Sequence, residues 1–159
     1  MYKYTLAFII YNDEVLLLNR NKNPWMGAWN GVGGKIEKGE DIKSSIIREI
    51  KEETSIDVLD EQVKYQGTVT WNAFDANGQG LYFYICHIDQ KPLFKTPLAT
   101  EEGILDWKKI SWANDKDNYG IAKNIPFFLP HALNHNGLFN YHCIFDNDNL
   151  KEVIIKELK

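Results

Sequence analysis

At 159 residues, with 44% hydrophobic and 25% charged side chains, the chain is long enough for one domain to bury its own core, and its balance excludes a disordered or fibrous class. A net charge of −4 with scattered basic residues argues against a surface that coats duplex nucleic acid and leaves a small charged ligand open. No apolar run reaches the roughly 18 residues of a membrane span, so no membrane partner is expected.

The N-terminal MYKYTLAFII has too short an apolar stretch for a secretion signal and no small-residue cleavage site. The runs YTLAFIIY and EVLLLNR flank Asn12-Asp13 and read as a β-hairpin. Residues 21–34, rich in Asn, Gly, Pro and Trp, read as loop. A helix is expected from about Asp41 to Thr54, with Asp41 as its N-cap. VKYQGTVTWNAF and GLYFYICHI flank DANGQ, whose Asn77-Gly78 signals a second hairpin, and GILDWKKISW supplies a further strand and its exit. KNIPFFLPHALNH suggests a short helix broken by Pro126 and Pro130, followed by terminal strands in YHCIFD and LKEVIIKEL. Cys86 and Cys143 sit in apolar or aromatic runs and read as buried free thiols, which fits a reducing cytoplasm. No repeat, low-complexity tract or linker interrupts residues 1–159, so one domain is expected. Many strands with one strong and one weaker helix imply an α+β or layered α/β domain on a mixed sheet.

The strong helix poses an electrostatic problem. On a period of about 3.6 residues, Ile42, Ile46, Glu49 and Glu53 share one stripe, with Ile50 on one flank and Glu52 on the other. Carboxylates near a helix C-terminus lose about 0.3–1 kcal/mol each against the macrodipole, and like charges three or four residues apart add to the cost. One reading is a solvated charged face, with Arg48 pairing Glu52 and Lys51 diluting the field. The other follows from the acids continuing the apolar stripe, which aims them at the interior or a cleft, where anions need partners. A hard divalent cation with oxygen ligands, Mg²⁺ above all, would turn the cluster into a binding site and keep waters for substrate phosphates to replace. Upstream, Gly31, Gly33, Gly34 and Gly39 in NGVGGKIEKGE allow tight turns and close backbone approach, and Lys35 could meet a phosphate. That loop has neither P-loop nor Rossmann spacing.

Loop and helix together resemble the Nudix box, G-x5-E-x7-R-E-U-x-E-E-x-G-U, where U is aliphatic. Gly34 is followed by Glu40, then by Arg48-Glu49-Ile50, Glu52-Glu53 and Ile56 at the box spacings. One position departs: Ser55 stands where the box has its last glycine, in the turn after the helix, where a left-handed geometry would cost serine about 1 kcal/mol. The resemblance implies an α/β/α sandwich and hydrolysis of a nucleoside diphosphate linked to another moiety, by attack of water on phosphorus. By the same likeness Glu49, Glu52 and Glu53 would bind Mg²⁺ or Mn²⁺ with help from the Gly33 carbonyl, and Arg48 would pair with Glu40 to hold loop against helix. Glu53 is the first choice for general base, then Glu52. Glu102, in TEEGILDW, resembles the late acid of the MutT-like branch that assists metal or water; the alternative is an exposed loop acid.

Substrate choice lies outside the box. VLLLNRNKNPWMGAWNGVGGK resembles the oxidised-purine nucleoside triphosphatases of the family, in which a WNG.GGK sequence precedes the box. That likeness implies a nucleoside triphosphate cleaved to monophosphate and pyrophosphate, with 8-oxo-dGTP favoured. It puts Asn30 on the base edge, where an amide can both donate and accept, against a turn-forming role, and places Arg20 near the nucleotide. Trp25, Trp29, Trp71, Phe74, Phe127 and Phe128 are candidate stacking faces, most of them expected in the core. KNIPFFLPHALN resembles the segment closing the base pocket, with Asn124 its best polar candidate and helix capping the competing role. His131 and His135 lack a third zinc ligand and read as surface histidines. ADP-ribose, a dinucleotide or an RNA 5′ end are the rival substrates; ADP-ribose enzymes often carry an added N-terminal dimerisation region, and none precedes the first strand here. Monomer and homodimer both remain open, and a non-catalytic sensing module would have shed box acids that are all present here.

Overall fold

A computed structural model of the chain describes residues 1–22, 25–72 and 79–159. The strands are β1 (Tyr4–Tyr11), β2 (Glu14–Arg20), β3 (Trp29–Asn30), β4 (Val63–Trp71), β5 (Gly80–His87), β6 (Leu98–Ala99), β7 (Gly103–Lys109), β8 (Phe139–Asp146) and β9 (Asn149–Glu157). The helices are α1 (Ile42–Thr54), α2 (Ile110–Ala113) and α3 (Ile125–Asn134). Among the described residues the strands form one sheet in the order β6-β7-β2-β1-β5-β4-β8-β9, with β3 added beside β2. β1 pairs β5 and β4 pairs β8 in parallel, and the other neighbours are antiparallel, so the sheet is mixed as expected.

β1 is apolar without interruption because both of its faces are covered. Leu6, Phe8 and Ile10 enter the core under α3, where Phe83, Phe128 and Tyr141 pack with them. Ala7 and Ile9 enter the opposite core, against Ile46 and Ile50 of α1. Helices on both faces give the α/β/α sandwich. The first hairpin closes on Asn12, whose φ of 53° supplies the positive torsion of the turn. Asp41 caps α1 as expected, its Oδ1 accepting from the Ser44 N–H at 3.0 Å. Cys86 and Cys143 are buried free thiols.

Two expectations meet a different outcome. The stretch 21–34 is not loop throughout: Trp29 and Asn30 pair with Asn19 and Leu18 as β3, because the edge of β2 offers unpaired peptide groups. The prolines do not break α3, which runs from Ile125 to Asn134. Pro126 lies in the first turn, where an N–H has no helical partner, and burial of Ile125, Phe128, Leu129 and Ala132 against the sheet holds the helix through Pro130. β4 and β5 pair antiparallel as anticipated, whereas Asn77-Gly78 and Phe74 lie outside the described residues. No helix among those residues is long and apolar enough to cross a membrane.

Candidate active site

The glycine loop is laid along the half of β1 that β2 leaves unpaired. Ala7 and Val32 exchange backbone hydrogen bonds at 2.7 and 3.0 Å, the Thr5 N–H donates to the Gly34 carbonyl at 2.9 Å, and the Ile36 N–H donates to Lys3 at 2.8 Å. Such an approach needs bare backbone at three points, one of them Gly31 against the Ala7 carbonyl. A Cβ at Gly33 would lie 2.0 Å from the Thr5 carbonyl oxygen, and one at Gly34 would lie 2.5 Å from Glu49 Oε1. Glycine at 34 therefore makes room for an acid, linking the two halves of the motif.

α1 brings the acids to this loop. Its apolar stripe buries Ile46 and Ile50 completely, and one and two turns on the same side carries Glu49 and Glu53 beneath the loop. Glu53 is only 8% exposed, and its Oε1 accepts the Gly33 N–H at 3.0 Å. Burial, followed by the like charges of Glu49 and Glu102, pushes its carboxyl up to about 8 against the opposing pull of Gly33 and Arg20. Burial likewise raises Glu49. Glu52 stays largely in solvent, its side chain 57% exposed. The helix ends at Ser55, whose φ of 63° and ψ of 12° are the left-handed torsions anticipated at that position.

Arg48 ties these parts together. Its Nε donates to Glu40 Oε2 at 2.8 Å and its Nη2 to Glu40 Oε1 at 3.0 Å, a two-pronged pair. Nη2 also donates to the Lys35 carbonyl at 3.1 Å, and Nη1 reaches Glu49 and Glu52 at 3.1 and 3.2 Å. The Arg48–Glu52 contact of the solvated-face reading is thus real, but it is one arm of a guanidinium that clamps loop to helix. The Arg48 hydrogen bonds hold the Glu40 carboxyl down at about 2.

Arg20, Asn30, Lys35, Glu49, Glu52, Glu53, Glu102 and Asn124 all line one cavity of about 1120 Å³. Glu102 arrives from the turn between β6 and β7, where Thr100 Oγ1 accepts the Glu102 N–H at 3.2 Å. The Arg20 Nε is buried without a hydrogen-bond partner among the described residues. Asn30 Oδ1 accepts the Gly31 N–H at 2.8 Å, so Asn30 serves the turn and the cavity wall together. Asn124 stands at the start of α3 without capping it; its Nδ2 lies 3.7 Å from Cys143 Sγ. Of the aromatic candidates, Trp25 and Trp71 line the cavity. Phe128 is core, while Trp29 and Phe127 lie under the amines of Lys108 and Lys116 at 4.5 and 4.6 Å. Tyr4, Thr5, Leu6, Val69 and Leu81 also form walls; sequence reading missed them because nothing separates such positions from core strand. Glu101 is a further missed acid, adjacent to Glu102 in the chain. His131 of α3 and His135 just after it are stacked at 3.9 Å, and His131 Nδ1 lies 2.8 Å from the Tyr141 hydroxyl, away from the acids.

The donor set suits a hard divalent ion. Five carboxylates share the cavity, and mutual repulsion adds to burial in holding a proton on Glu53, a penalty that a cation would relieve. As they stand, no three Asp, Glu, His or Cys side chains among the described residues form a ready-made cage, and Arg48 Nη1 engages the Glu49 and Glu52 oxygens that such an ion would use.

The family model described as NUDIX domain matches residues 1–123. The uncharacterised Nudix hydrolase YvcI of Bacillus subtilis is 30% identical over 139 residues, 81% of this chain and 77% of that protein. The oxidized purine nucleoside triphosphate hydrolase of Mus musculus is 38% identical over 55 residues, which cover 35% of each chain. In structure, a MutT protein from Bacillus halodurans superposes with a TM-score of 0.75 at 24% identity, covering 98% of this chain and 97% of that one, a likeness of fold.

Proposed function

This chain belongs to the NUDIX family and is a hydrolase of pyrophosphate bonds, and from that premise we propose that it cleaves nucleoside triphosphates to a nucleoside monophosphate and pyrophosphate. The favoured substrate in this reading is an oxidised purine deoxynucleotide such as 8-oxo-dGTP. The observation that carries it is one cavity lined by two chemically different sets of groups: the acids of α1 and the β6–β7 turn, and Trp25, Trp71, Leu6 and Leu81 with two asparagines. Its volume suits a nucleotide.

Glu49, Glu52, Glu53 and Glu102, with the Gly33 carbonyl, would hold Mg²⁺ or Mn²⁺ on the acidic wall. A bound divalent ion there supplies neutralisation of phosphate charge and a lowered pKa for water. Glu53 accepts the proton of the attacking water, with Glu52 as the alternative; the water oxygen bonds to phosphorus as the bridging oxygen leaves with its electron pair. The Gly33 N–H fixes one oxygen of Glu53, so the base does not have to be ordered during the step. Arg48 and Glu40 keep loop and acids in register. Arg20, whose Nε has no partner among the described residues, and Lys35 meet the polyphosphate. Asn30, its Oδ1 held by Gly31, turns its amide donors to the base edge, and Asn124 contributes a second amide.

The test is turnover of a panel of oxidised and normal nucleoside triphosphates, ADP-ribose and dinucleotides with Mg²⁺, with products identified by chromatography. Glu53→Gln is expected to lose roughly 10³-fold in kcat with the fold intact. Higher kcat/KM on ADP-ribose or a dinucleotide than on any triphosphate would reassign the substrate.

A further inference from the structure

The sheet ends on β9, whose outer side has no strand against it among the described residues. Ile154 and Ile155 there are 38% and 39% exposed. We propose that this edge is a homodimer interface, in which β9 pairs antiparallel with β9 of a second copy of the chain in the register that sets Ile154 opposite Ile154.

Backbone geometry decides which groups are free to pair. In an antiparallel ladder, successive residues turn their N–H and C=O groups to opposite sides. The Leu158 N–H donates to the Leu138 carbonyl at 2.7 Å, and the register with β8 is unbroken from Glu157 to Glu152. Lys156, Ile154 and Glu152 therefore spend their peptide groups on β8, while those of Glu157, Ile155 and Val153 point outward. Val153 and Ile155 share the face of Cys143 and Tyr141, and Ile154 lies on the other face.

Side chains then select the register. Two copies related by a two-fold axis normal to the sheet preserve its faces, so allowed pairings move in steps of one residue at the axis. With Ile154 at the axis, Val153 meets Ile155, Glu152 meets Lys156, and Lys151, at the bulge, falls beside Glu157. With Val153 at the axis, Glu152 faces Ile154 and Lys151 faces Ile155. With Ile155 at the axis, Ile154 faces Lys156 and Val153 faces Glu157. With Glu152 at the axis, two carboxylates oppose each other. Only the Ile154 register sets apolar against apolar and each lysine against a glutamate. Charges that would blunt an edge strand against indiscriminate pairing are thus complementary in this one alignment.

The test is sedimentation equilibrium of the whole chain over a concentration series, with thermal melts to check folding. A reversible dimer is expected, weakened about tenfold by Glu152→Lys or by Lys156→Glu, since each reversal places two like-charge pairs in the dimer. The double variant, E152K with K156E, is expected to restore association. Ile154→Cys should crosslink to itself on oxidation, because facing residues at the axis lie within disulfide reach, and Ile155→Cys should not; Cys86 and Cys143 are buried and do not compete. A chain that stays monomeric at about millimolar concentration, or a dimer indifferent to charge reversal, overturns the proposal.

Discussion

Glu53 is an acid that folding removes from water, and its energetics follow from that removal. In the unfolded chain it titrates near 4.5, and in the folded, ion-free protein near 8. The native state therefore holds a proton that the unfolded state has released, so stability falls as pH rises between those values. The loss from this group reaches up to about 5 kcal/mol. Glu53→Gln is expected to flatten the decline, read from urea midpoints at pH 5 and 8 in chelator. Added Mg²⁺ is expected to raise the midpoint more at pH 8 than at pH 5, and its binding at pH 7 to release protons, measurable by calorimetry in buffers of different ionisation enthalpy. Ser55 carries strain of another kind, a side chain at a φ of 63°. Ser55→Gly should gain about 0.5–1 kcal/mol, after the larger entropy of an unfolded glycine is set against the relief.

At the scale of elements, the acidic end of α1 is viable because the loop before it supplies the Gly33 N–H and the guanidinium clamp. Glu40→Gln removes a carboxylate that Arg48 holds down to about 2, a stabilisation present above 4.5 and lost as pH falls toward 2. Wild type and variant should accordingly differ in thermal midpoint at pH 7 and converge near pH 2. Arg48→Lys should be damaging despite retaining charge, since an ammonium cannot span Glu40, the Lys35 carbonyl and Glu49 together. Gly34→Ala would drive a Cβ into the Glu49 carboxylate and is expected to weaken the Mg²⁺ dependence of turnover more than it lowers the melting temperature. The period of α1 was legible, because its stripe of isoleucines stops at the first buried acid. The continuity of α3 was not, because Pro130 is tolerated inside the helix only through burial of its neighbours against the sheet.

For the whole molecule, the cavity is a meeting of distant segments. β1 gives Tyr4 and Leu6, β4 Trp71, the β6–β7 turn Glu102, and the start of α3 Asn124. The segment before α3 is tied to β3, with the Trp29 N–H donating to Gly120 and the Ala122 N–H to Trp29, at 2.8 and 2.9 Å. In the proposed reading, base selection and phosphate chemistry fall to different segments of the chain. Asn30→Ala is expected to reduce discrimination between oxidised and normal purines by about tenfold while changing kcat on the normal nucleotide less, checked by kcat/KM ratios. Equal losses on all substrates would assign Asn30 to the turn it makes with Gly31.

The sequence alone determined the family, the α1 stripe, its N-cap and the strained Ser55, because each is written in residues close together in the chain, where spacing and geometry are linked. Only the tertiary structure decided that Glu53 lies under Gly33, that Arg48 spans four partners, that Asn124 leaves its helix uncapped, and that Trp25 and Trp71 face a cavity while Phe128 fills the core. Those outcomes depend on which strands lie side by side, and neighbours in the sheet are set by burial on two faces at once, a condition that no local stretch of residues expresses.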